Sequence, residues 1–202
     1  MKMKKTITIF LFILYIANQV FANNDKSLNE FEQKNITTNQ NAMLVLGSWA
    51  VGNILVGSYG NFTTTGVTKY FHQFNVMWNV VNLVLATFGY FNSVNKKTID
   101  QSQIDIIKDF NSLQNFLLLN AGLDVAYIIA GFYLKEKSTR HKRSNLLAGY
   151  GNSLILQGSF LLLFDVSFFF INQHNANLYL YPYLDNLLTN DFSLGLGVKL
   201  EF

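Results

Sequence analysis

Four apolar segments, at residues 42–59, 71–91, 113–134 and 147–171, decide most of what this chain can fold into. Each holds 18 or more residues, and a helix rising 1.5 Å per residue needs about that many to cross a hydrocarbon core of about 30 Å. Soluble helices of this length show a charged stripe, whereas no Lys or Arg occurs in any of the four. In lipid each backbone polar group must be satisfied within its own segment, so such segments fold as helices. Only 13% of the residues are charged, about half the usual share for a soluble surface. The predicted fold class is all-α: a transmembrane four-helix bundle over residues 41–171.

The flanks add three pieces. Residues 1–22 begin with Lys2, Lys4 and Lys5, continue with an apolar stretch near Ile7 to Ile16, and end on Val20-Phe21-Ala22. That order describes a secretory signal peptide cut after Ala22, which delivers the downstream chain to the outside. Residues 23–40 are polar and read as an external tail. Residues 172–202 read as an external interfacial tail containing Pro182, beyond the last apolar run. Its end alternates Leu194, Leu196, Val198, Leu200 and Phe202 with polar or small residues, a period-two pattern that predicts a short extended segment.

The loops fix an orientation. Lys135, Lys137, Arg140, Lys142 and Arg143 crowd into residues 135–145, which together with the loop at residues 60–70 is expected on the cytoplasmic side. The loop at residues 92–112 balances Lys96, Lys97 and Lys108 against Asp100, Asp105 and Asp109 and is expected outside. Signal sequence and loop charge give the same topology, with both mature termini outside the cytoplasm. The net charge of +3, with no basic stripe among aromatics, points away from nucleic acid. With no cysteine, thiolate ligands and cysteine nucleophiles are excluded. His72, His141 and His174 fall in different places, so no metal site and no cofactor is expected.

Polar side chains inside the spans follow helical spacing. His72, Asn75, Asn79 and Asn82 share one face of the second span, and Asn120, Asp124, Tyr127 and Gly131 share one face of the third. Gly151, Gly158 and Asp165 lie seven apart in the fourth, while Trp49, Asn53, Gly57 and Gly60 fall in one sector of the first. A polar group facing lipid costs several kcal/mol, so the stripes are expected to turn inward on one another. Asp124, Asp165, Asn120, Asn79, Asn82, Asn53 and Tyr127 form the candidate polar site, with His72, Asn75, Trp78 and Gln157 in second rank. His72 is expected on the order of 10 Å or more from Asp124 along the bilayer normal.

Three fates are open to Asp124 and Asp165: protonated, ionised around a bound cation, or held as hydrogen-bonded glue between helices. They are expected to lie near one another. Two like charges in a low-dielectric site repel, so at least one is expected to keep its proton at neutral pH.

The runs Tyr70 to Asn82, Gly122-Leu123-Asp124 and Leu156 to Asp165 resemble an uncharacterised family of four-span bacterial membrane proteins, over about residues 42–171. The resemblance implies a shared bundle and no assigned chemistry. The expected role is non-enzymatic, in the bacterial inner membrane: binding an ion, proton or small ligand, or serving as an assembly component in the lipid bilayer. The alternative is an intramembrane enzyme using Asp124 and Asp165 as an acid–base pair.

Overall fold

The computed structural model describes the backbone of residues 2–96 and 102–195, and side chains over 27–96 and 102–189. Five α-helices follow one another: α1 (Lys2–Thr63), α2 (Gly66–Lys96), α3 (Gln103–Ser138), α4 (Ser144–Asn175) and α5 (Tyr181–Gly195), with a π-helical turn at Ala176–Leu180 between the last two. No strand occurs among the described residues. Among the described residues, four helical rods are long and apolar enough to cross a membrane: Ser27–Thr63, Gly66–Lys96, Gln103–Ser138 and Ser144–Thr189.

The rods extend beyond the apolar segments at several ends. The polar stretch expected as a tail at 23–40 is helical and continuous with the first span. The expected loop at 60–70 shrinks to Thr64 and Thr65. There the Thr64 amide and hydroxyl both donate to the Gly60 carbonyl, at 3.0 and 2.7 Å, closing α1. Gly66 reopens the chain with φ of +60°, a conformation glycine adopts without a Cβ clash. Lys135 and Lys137, expected in a loop, ride on the last turn of α3.

The fourth rod continues past Pro182. Proline has no N–H to give an i−4 bond, and just before it the Tyr181 N–H donates to Ala176, five residues back. The wider π turn thus carries the helix across the proline. Of the alternating terminal segment, Leu194 and Gly195 end α5, and residues 196–202 lie outside the described residues. Residues 1–26 lie outside those whose side chains are described, so the expected cleavage site is among them.

The chain divides into two compact units. One joins residues 1–35 with 173–202. Its buried apolar side chains include Leu28, Phe31, Ala176, Leu180 and Tyr183, and Ser27 donates to the Tyr179 carbonyl at 2.9 Å.

The other, residues 36–172, holds the bundle. Its surface reverses a soluble protein's. Phe88 and Leu163 are 73% and 71% exposed, whereas Asn79, Ser153 and Gln157 are wholly buried. Apolar side chains face outward, where lipid would lie, and amides face inward. Glycines set the spacing of the helices. A Cβ at Gly149 would stand 2.6 Å from the Val67 carbonyl of α2, and one at Gly151 would stand 2.6 Å from the Gly131 carbonyl of α3. A Cβ at Gly57 would lie 3.1 Å from the His72 carbonyl. These contacts gather at the end of the bundle that carries the Thr64 turn and the basic turn at 139–143. At the opposite end Lys96 of α2 pairs with Asp109 of α3.

A polar layer and an acidic cavity inside the bundle

The inward residues separate into two groups at different heights. The first is a hydrogen-bonded layer centred on Asn75. Its side-chain oxygen accepts from Gln157 at 3.0 Å and from the Ser153 hydroxyl. The Gln157 oxygen in turn accepts from the Trp49 indole at 3.0 Å, and the Gln157 amide reaches the Asn53 oxygen at 3.4 Å. Asn79 donates to the Asn75 carbonyl at 2.8 Å, and Asn82 donates to the Asn79 oxygen at 3.5 Å. The Trp49 ring stacks on Phe160 with centroids 3.9 Å apart. This layer ties α1, α2 and α4 together.

The second group lines a cavity of about 400 Å³ in the half of the bundle nearer the Lys96–Asp109 pair. All four helices contribute. Met43 and Leu46 come from α1, Trp78, Asn82 and Leu85 from α2, Leu117, Asn120, Asp124 and Tyr127 from α3, and Leu161, Phe164, Asp165 and Phe168 from α4. Trp78 and Tyr127 meet edge to face at 4.8 Å. The walls are mainly aliphatic and aromatic, and the acidic groups are concentrated on α3 and α4.

Helix geometry explains why the two carboxyl groups meet. Gly158 lets α3 approach closely, because a Cβ there would lie 3.0 Å from the Asp124 carbonyl. Asp165 stands seven residues further along the same face of α4, about 10 Å up the axis. Side chains on a helix lean toward its N-terminus. The helices are antiparallel, so Asp124 and Asp165 lean toward each other and close that gap. Their carboxyl groups are near enough to interact directly. Asp124 is 3% exposed, and its Oδ2 has no hydrogen-bond partner among the described residues.

Of the first-rank residues, Asp124, Asp165, Asn120, Asn82 and Tyr127 line the cavity, whereas Asn53 and Asn79 belong to the layer below. Of the second rank, Trp78 lines the cavity, and Asn75 and Gln157 form the centre of the layer. His72 lies outside both, its ring against Gly60 near the Thr64 turn. Sequence reasoning left out Ser153 and gave Trp49 no site role. The four-residue step from Ser153 to Gln157 on α4 was the signal available for the first. Among the described residues no group of three or more His, Asp or Glu could hold a metal ion.

An inside-out bundle of this kind, with four rods long and apolar enough to span and a polar interior, fits a four-span helical membrane protein. The chain belongs to DUF6992, a family of unknown function that matches it over residues 45–166, from the first span to just past Asp165. No curated protein and no solved structure matches the chain.

Proposed function

We propose that this protein is a non-enzymatic binding protein of the membrane, whose intramembrane cavity takes a small, largely apolar molecule. One observation carries the reading: a cavity of about 400 Å³, bounded by all four helices, with polar groups concentrated on part of its wall. Ligand pockets commonly measure about 300–1,000 Å³, with mostly apolar walls and a few convergent polar groups. Support for a bacterial inner-membrane setting with both mature termini outside comes from the leader-like start and the basic residues at 135–143.

The test is mass spectrometry of small molecules that co-purify with the full chain from gently solubilised membranes. The reading expects a bound molecule that is lost in Leu117→Trp, which fills the cavity from a position 3% exposed. A wild-type protein that carries no small molecule, and whose unfolding temperature no apolar compound raises, would sink it. The contact between Asp124 and Asp165 also favours a second reading, an intramembrane acid–base pair, which requires turnover in a substrate screen.

A further inference from the structure

The walls of the cavity offer acceptors with no matching cation. Asp124 and Asp165 face each other there, and no Lys or Arg occurs in the apolar segments 42–59, 71–91, 113–134 and 147–171. Asp124 is almost wholly buried, yet its Oδ2 has no partner among the described residues. A buried carboxyl oxygen in that condition is costly unless something donates to it. The hydrogen-bonding capacity of the neighbouring layer is directed elsewhere, to Asn75, Gln157 and Asn53. Aromatic faces are close by: Trp78, Tyr127 and Phe164 line the same space. Such faces attract cations in a desolvated setting.

We propose that the ligand of this cavity is a lipophilic cation with at least one N–H, whose ammonium lies between Asp124 and Asp165 and whose apolar body fills the space beside Leu85, Leu117 and Phe164. The proposal rests on the binding function above and adds to it the charge of the ligand. An N–H donor satisfies the unpartnered Oδ2, and a positive charge relieves the repulsion between two neighbouring carboxyl groups. The apolar walls favour a molecule with a single charged end.

The experiment compares two compounds of matched shape, 1-naphthylmethylammonium and the neutral 1-naphthylmethanol. Equilibrium binding of each is measured to the full wild-type chain in nanodiscs of zwitterionic lipid, with the Leu117→Trp variant as the baseline for partitioning into lipid. The proposal expects the ammonium to bind at least tenfold more tightly than the alcohol. Asp124→Asn and Asp165→Asn are each expected to remove that preference, lowering the affinity for the ammonium at least tenfold. Equal binding of the two compounds to wild-type protein would overturn the cation inference and leave the cavity's binding role standing. Binding of neither compound above the Leu117→Trp baseline would overturn both. The wild-type comparison decides the matter even if an Asp variant fails to fold.

Discussion

A methyl group added at Gly158 would stand 3.0 Å from the carbonyl oxygen of Asp124 and 2.9 Å from the Ile128 side chain. A close approach of α3 to α4 is therefore set beside the residue that carries the buried carboxyl group. Gly158→Leu is expected to force the two helices apart and destabilise the bundle by about 1–3 kcal/mol, the usual effect of overpacking. At Gly122 and Gly52 an added methyl group would meet nothing within 4 Å, so alanine at either is expected to leave stability unchanged or raise it by up to about 1 kcal/mol. Thermal unfolding of the three variants in detergent checks the ordering. Equal behaviour of Gly158→Leu and Gly52→Ala would contradict the close approach.

The Asn75 layer carries a second ordering. Gln157→Leu strands the Trp49 indole and the Asn53 oxygen together, and leaving buried polar groups unpaired costs about 1–3 kcal/mol each. Ser153→Ala removes one donor while Asn75 still accepts from Gln157, so its effect is expected near the average of about 0.6 kcal/mol for hydrogen bonds between membrane helices. Unfolding measurements on the two variants should rank them in that order.

How much of this was legible beforehand differs between the two groups. The lengths of the apolar segments reported four spans, and the 3.6-residue spacing put Asn75, Asn79 and Asn82 on an inward face. Spacing gives an angle around one helix and says nothing about which neighbour will be met. Asn75 and Gln157 therefore ranked second, although each bonds across helices, while Asn79 ranked first and bonds mainly within α2. The cavity was harder still to foresee, because a space left between Leu46, Leu85 and Phe164 is a property of packing and leaves no periodicity. The helical course of residues 23–40 was missed because its polarity suggests a tail; buried Leu28, Phe31 and Ile36 were the apolar anchors inside it.

Asp165 provides a test that separates fold from function. Replacement by Asn keeps the shape and removes an acidic neighbour of Asp124, so stability is expected to hold or rise, by about 1 kcal/mol at most, as is common where a functional site is costly to the fold. Ligand binding is expected to fall at the same time. Asp165→Leu removes hydrogen bonding as well and is expected to be less stable than the Asn variant. Unfolding temperature and binding measured on the same preparations check both halves.

Orientation can be read independently of any ligand. Alkaline phosphatase fused near Ser102 or after Phe202 is expected to be active, and fused near Ser138 it is expected to be silent. Activity at Ser138 would reverse the proposed topology.

The layer made by Trp49, Asn75, Ser153 and Gln157 lies on the Thr64-turn side of the cavity, with the Gly131–Gly151 contact at a similar height. It closes the cavity toward that end of the bundle. A solute lodged beside Asp124 has a floor beneath it, built from side chains that hydrogen-bond one another and pack closely. Passage through to the far end would require several of those bonds to break at once and glycine-tight helices to separate.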